Sequence, residues 1–286
     1  MKLKGDWVAR KVFFVAAMMV VLGILLIIVL VTKEAVPALT KIGPFKILFS
    51  SKWEPSKNQY GILVFIVGTL LTTLGALIIG VPLAIGIALF VTEVAPKKAA
   101  GVVSNAIELL AGVPSIVIGW LGLTALIPLL KSLTGKATAF GLLPASIVLA
   151  VMVIPTICAI SVDAINSVPD AYKQGSVGLG ATRWQTMRHV TLPAAKSGLV
   201  VATILGMGRA IGETVAVALV IGTANVFPTS LLSPTNTLTT KIFTDIQESS
   251  GIQHSVLFVM GVVLLLIAVG LILIVRKVAP PITKVS

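Results

Sequence analysis

Arg209 and Glu213 are the residues of this chain best placed to do chemistry, because they stand in an otherwise apolar stretch, Leu199–Ile221. An ionised side chain at the centre of a bilayer costs about 2.5–3.5 kcal/mol on insertion scales, so such groups face a protein interior or a watery path rather than lipid. Four residues apart on one helix, the two share a face. Arginine presents a planar fork of N–H donors that matches the oxygens of phosphate-like anions. A carboxylate beside it can neutralise the arginine between passages and repel an approaching anion, so the pair would act as a weak, gated relay. The same spacing fits a structural ion pair that fixes helix packing, and the residues alone leave both readings open. Ser115, Thr156 and Thr214 offer hydroxyls to an anion, or serve as packing residues between membrane helices.

The elements that must position this pair are membrane helices. The chain has 286 residues, 57% hydrophobic and 11% charged, where a soluble domain carries about 25% charged residues. Its mean hydropathy is +1.07. A hydrocarbon core about 30 Å thick needs roughly 20 apolar residues per helix. Six stretches meet this: Val12–Val31, Ile62–Val91, Val113–Leu130, Leu142–Ile160, Leu199–Ile221 and Val256–Val275. The predicted fold class is therefore an all-α integral membrane protein with six transmembrane helices. Residues 1–60 read as an N-terminal helix and an external loop, 32–60, with Trp53 as its aromatic anchor. Residues 61–278 read as one helical domain. Pro82, Pro114 and Pro155 interrupt spans; each either kinks a helix for packing or marks a gate or cavity.

The net charge of +12 would point to nucleic acid on a soluble protein. Here the basic residues lie between apolar spans and report orientation. Lys2, Lys4, Arg10, Lys11, Lys97, Lys98, Lys173, Arg183, Arg188, Lys196, Arg276, Lys277 and Lys284 make 13 on one side, against 8 lysines on the other. Excess positive charge marks the cytoplasm, which places both termini there. The N-terminal apolar run is too long for a signal-peptide core and has no small-residue cleavage pattern after it, so it reads as a retained helix. Cys158 is alone in an apolar span and reads as packing. His189 and His254 are far apart, so no metal site is visible.

Between the fourth and fifth spans, about 163–197, the chain has its own helical grammar. Pro169 suits a helix start, Gly180 the left-handed position past its end, and Thr182 with Gln185 a capping box for a second helix. Pro193 is read as that helix's end. Two short helices there fit either a groove on a partner or an interfacial hairpin on lipid, held by Arg183, Trp184 and Arg188.

A resemblance bears on that choice. The run Gln174-Gly175-Ser176, then Gly180-Ala181, then Leu192-Pro193, resembles the EAA loop of ABC-importer permeases, which docks into the ATP-hydrolysing subunit. Gln174 stands where the family has Glu, and Gly175 and Ser176 where it has Ala; the Gly180 and Leu192-Pro193 spacings are kept. The segments Glu108-Leu109-Leu110-Ala111-Gly112-Val113-Pro114-Ser115 and Gly208-Arg209-Ala210-Ile211-Gly212-Glu213-Thr214 look like those of phosphate importer permeases, and Val215-Ala216-Val217 favours the PstC type over its PstA-type partner. The resemblance implies a type I ABC importer permease fold. It makes Gln174, Gly180, Ala181, Arg183, Leu192 and Pro193 the ATPase-coupling residues, Arg209 and Glu213 the substrate pathway, and Glu108, Pro114 and Ser115 a possible gate. Implied partners are a PstA-type second permease, two ATP-binding subunits, an extracytoplasmic phosphate-binding protein and membrane lipid.

No G-x-x-x-x-G-K-[ST] loop occurs, so the chain cannot bind ATP in the P-loop manner and reads as a permease rather than an enzyme, with no cofactor of its own. Permeases for sulfate or molybdate, an ion-coupled secondary transporter, and a membrane enzyme acting on phospholipid are the rival classes.

Overall fold

The computed structural model describes residues 4–278, with side chains from Arg10 onward. Lys2, Lys284 and both termini, used above for orientation, lie outside the described residues. The order of elements is α1 (Lys4–Ile42), α2 (Pro44–Phe49), β1 (Trp53–Glu54), β2 (Gln59–Tyr60), α3 (Leu63–Leu89), α4 (Lys97–Gly112), α5 (Ser115–Leu121), α6 (Ile127–Thr134), α7 (Leu142–Asn166), α8 (Asp170–Gly178), α9 (Arg183–Thr186), α10 (Leu192–Gly212), α11 (Val215–Ile221), α12 (Leu238–Asp245) and α13 (Gly251–Val278). Wide π turns at Phe90–Val94, Gly122–Leu126 and Met187–Thr191 extend α3, join α5 to α6 and join α9 to α10.

Six helical stretches are long and apolar enough to cross a membrane: Arg10–Ile42, Leu63–Val94, Ser115–Thr134, Leu142–Asn166, Arg183–Gly212 and Gly251–Lys277. All six expected spans are present, and the chain is a multi-pass membrane protein. Several boundaries differ from expectation. The stretch 32–60 is not all loop: α1 runs through Pro37 to Ile42, α2 follows, and β1 pairs antiparallel with β2. Pro37 removes one backbone bond without ending the helix. Trp53 is no interfacial anchor. It is buried, edge-on to Tyr60 and Phe65 at centroid distances of 5.7 and 5.6 Å, with the Lys241 ammonium 5.1 Å above its ring. At the hairpin tip, the hydrogen bond and charge of Lys57 hold the Glu54 carboxyl below the usual carboxylate range.

The core is three apolar layers strung along α7 and α3. One layer joins the end of α1, α2, the hairpin, the start of α3, α12 and α13; a second joins α5, α6, α7 and α11 with the middle of α3; a third joins the far halves of α3 and α7 to α10. Helix α7 is the most buried span, whereas α1 is exposed along most of its described length and buries only Ala35 and Ala38 near its end. The first helix packs on α13 at the periphery and turns Phe13, Phe14, Met19 and Ile27 outward. In a bilayer that face meets acyl chains. Small residues set the close approaches, as membrane packing requires. A Cβ built on Gly119 lies 2.6 Å from the Ala216 Cα, so α5 and α11 touch backbone to backbone.

Gly119→Val will therefore force α5 off α11 at a cost of about 1–3 kcal/mol from overpacking. The detergent-solubilised variant will melt well below the parent, whereas Gly23→Ala, which meets nothing within 4 Å, will melt with it.

Candidate functional site

The fifth span is not one helix to Ile221, and the expectation of Arg209 and Glu213 on one helical face is corrected here. Its helix ends at Gly212; Glu213 is extended (φ −70°, ψ 131°), and α11 begins at Val215. Such a break frees backbone groups that lipid cannot satisfy. Side chains supply the partners. The Ala216 N–H donates to Glu213 Oε1 at 3.3 Å, so the carboxylate caps the first turn of α11. The Thr214 hydroxyl donates to the Gly212 carbonyl at 3.2 Å. The Thr239 hydroxyl, on α12, donates to the Glu213 carbonyl at 3.0 Å.

Arg209 Nη1 donates to Thr156 Oγ1 on α7 at 3.2 Å. The ion pairs among the described residues are Lys57–Glu54, Lys173–Glu93 and Lys241–Asp245, so none joins Arg209 to Glu213. A guanidinium has five N–H donors, and a neutral hydroxyl leaves its charge available. Arg209 is half-buried. Beside it runs an exposed stripe of α10, made of Val201, Leu205, Gly208 and Gly212, with no atom within 4 Å of a Cβ built on either glycine. Open space thus adjoins an unneutralised cation within a membrane span.

The gate candidates are spread over a helix–helix corner. Glu108 lies on a separate helix, α4, which precedes the third span. Pro114 sits in the bend that follows, and Ser115 opens α5. The structure instead brings Glu108 to Asp163, which the sequence did not single out. Both line a cavity of about 200 Å³ with Ser104 and Cys158.

The 163–197 segment has the expected helix, left-handed Gly180 (φ 87°) and capping box: Gln185 N–H donates to Thr182 Oγ1 at 3.3 Å, and Thr182 N–H to Gln185 Oε1 at 2.8 Å. Pro193 does not end an element. It sits in the first turn of α10, and the π turn carries α9 straight into that helix, with the Leu192 N–H bonded back to the Met187 carbonyl. Gln174 and Arg183 meet at one cavity of about 510 Å³, together with Glu93 and Lys173; Gly180, Ala181, Leu192 and Pro193 lie outside it. Leu179 is 91% exposed at the tip of this segment and Trp184 is 64% exposed beside it.

A buried polar cluster escaped the sequence reading. Thr69, Thr72, Asn236, Thr237, Thr239 and Thr240 lie between α3 and the start of α12, where Thr69 Oγ1 accepts the Leu238 N–H at 3.0 Å. The Thr237-to-Thr240 spacing is a visible capping signal. Its proximity to Glu213 depends on tertiary contacts alone.

The fold is that of a multi-pass membrane protein with six spans. Residues 80–284 match the family described as binding-protein-dependent transport system inner membrane component, and the chain belongs to that family. It is 42% identical over 239 residues to the probable ABC transporter permease protein YqgH of Bacillus subtilis (strain 168), covering 82% of this chain and 77% of that one. It is 40% identical over 242 residues to the phosphate transport system permease protein PstC of Pasteurella multocida (strain Pm70), covering 78% and 76%. Among solved structures, a bacterial ABC transporter involved in import of the acidic polysaccharide alginate matches with a TM-score of 0.64 at 17% identity, covering 98% of this chain and 100% of that one. The inward-facing MetNI methionine ABC transporter matches at 0.59 and 21% identity, covering 80% and 100%. The fold is that of type I ABC importer permeases.

The capping role of Glu213 has a measurable signature. Glu213→Gln keeps an oxygen for the Ala216 N–H and will melt with the parent, whereas Glu213→Ala will lose about 1 kcal/mol of stability and melt lower in the same detergent.

Proposed function

We propose that this chain is the pore subunit of an ATP-driven importer of inorganic phosphate. The observation that carries this reading is Arg209, held by a hydroxyl and by no carboxylate, at the edge of an open stripe in a membrane span. Relatives named as phosphate permeases support the anion. In this reading the Arg209 fork takes phosphate oxygens as the anion leaves bulk water. Glu213, fixed beyond the end of α10, repels an anion that would otherwise bind too well. Thr156 orients the arginine.

The stripe beside Arg209 faces a second permease subunit of the PstA type, so the path lies between the two chains. The basic face is cytoplasmic, as the positive-charge bias implies, and both termini lie there. One of two ATP-binding subunits docks on the 163–197 segment through Leu179 and Trp184, with Gln174, Gly180, Ala181, Arg183, Leu192 and Pro193 shaping it. Glu108, Pro114 and Ser115 form the inner gate. A phosphate-binding protein delivers the anion to the opposite face; ATP binding closes the motor and moves the spans, and hydrolysis resets them.

Arg209→Gln in the assembled complex will lower uptake of radiolabelled phosphate to background while all subunits still co-purify; uptake at the parent level would remove Arg209 from the path. Excess unlabelled sulfate will leave phosphate uptake by the parent unchanged. Leu179→Asp will place a charge in the docking surface and reduce co-purification of the ATP-binding subunits.

A further inference from the structure

Helix α8 is connected through the backbone only to α7, through residues 167–169, and to α9 and α10, through 179–182. A displacement of α8 therefore reaches those spans along the chain. It has no covalent route to α3. α3 packs on α7 and α10 along apolar faces, and one ion pair links α8 to its inner end directly. Lys173 Nζ lies 2.7 Å from Glu93 Oε1, across 80 residues of sequence, with the two side chains only 21% and 15% exposed. Lys173 stands in the middle of α8, and Glu93 in the π turn that closes α3.

The surroundings show why this contact matters. The pair borders the cavity of about 510 Å³ whose other walls are Gln174, Val177, Gly178, Arg183, Thr186 and Met187. The ion pair joins α8 to the end of α3 at the border of an open cavity rather than within a filled core. A second polar link, between the hydroxyls of Ser176 and Thr186 at 3.0 Å, ties α8 to the start of the fifth span. Each link thus ends at or beside a π turn, Phe90–Val94 on one side and Met187–Thr191 on the other. Such turns are interruptions of the regular ladder and are frequent where helices act at functional sites. A shielded pair resists salt far better than an exposed one, and removing one partner leaves the other charge shielded and unpaired.

We infer that Lys173 and Glu93 form a strut that transmits movement of α8 to the inner end of α3, so that α3, α7 and α10 move together. Both are positioning residues: neither touches the anion. The inference rests on the reading of 163–197 as the segment that receives the motor. Without the strut, α3 follows α8 only through its apolar faces on α7 and α10, which can slide past one another, and ATP is hydrolysed with little transport.

The test uses the complete complex in proteoliposomes, with inorganic phosphate as probe, and measures phosphate imported per ATP hydrolysed. Glu93→Gln and Lys173→Gln will each lower that ratio by about tenfold, the factor that corresponds to about 1.4 kcal/mol of coupling, with ATP hydrolysis retained. The exchanged pair, Glu93→Lys with Lys173→Glu, will restore the ratio to within about threefold of the parent. Single variants with an unchanged ratio overturn the strut, as does an exchanged pair that stays as low as the singles. Where a single variant fails to assemble, the exchanged pair decides by the same criterion. Leu179→Asp separates the two layers of the argument. A Leu179→Asp complex that stays assembled and coupled removes the motor-docking reading and the strut with it. Release of the ATP-binding subunits by Leu179→Asp, with both single variants transporting normally, removes the strut alone.

Discussion

In hydrocarbon a freed backbone N–H or carbonyl finds no water, and every irregularity of the chain must be repaired by the protein itself. The break between α10 and α11 is where this constraint acts most strongly. It exposes backbone groups at Gly212, Glu213 and Ala216, and each is met by a side chain: Thr214, Thr239 and Glu213 in turn. Thr239 is delivered by α12, which is itself anchored to α3 through Thr69. The polar cluster between α3 and α12 is thus the far end of a chain of repairs that begins at the break. Glu213 is a structural cap first. Any electrostatic role in transport operates from a carboxylate already held in place.

That repair frees Arg209. On an unbroken helix the glutamate would lie one turn from the arginine and neutralise it. Breaking the helix turns Glu213 toward α11 and leaves Arg209 to the Thr156 hydroxyl. A neutral partner orients a guanidinium without cancelling its charge. The cost of keeping that charge in a membrane span is lowered by its hydrogen bond to α7 and, in the proposed function, by water entering along the open stripe of α10.

The sequence conveyed the membrane class, the six spans, the capping box at Thr182 and the left-handed Gly180, because each rests on local composition or on spacings of a few residues. It did not convey the break at Glu213. Arg209 apart, apolar residues and glycines continue on both sides, from Ile204 to Ile211 and from Val215 to Val220, so a hydropathy reading sees one span. Trp53 shows the same limit: its place beside Tyr60, Phe65 and Lys241 comes from a hairpin folding onto α3 and α12. Of the site, Arg209 and the coupling segment were legible as unusual residues in unusual places. Asp163 and Glu93 were not, nor was the pairing of Thr156 with Arg209, since these partners lie on other helices and no spacing encodes them.

The place of Pro193 bears on mechanism. A helix ending there would leave a hinge between the basic face and the fifth span. Instead the π turn shifts the hydrogen-bond register by one residue, and Pro193 falls in the first turn of α10, where proline is tolerated. Arg183–Gly212 is then one helical rod of 30 residues, about 45 Å long at 1.5 Å per residue. It carries the cavity that holds Gln174 and Arg183 at one end and Arg209 near the other. In the proposed function, a displacement received at Leu179 reaches the anion site through stiff helix rather than through loop. The break at Glu213 falls just past Arg209, so the rod can tilt without dragging α11, whose backbone contact with α5 at Gly119 holds the outer end of the path in place.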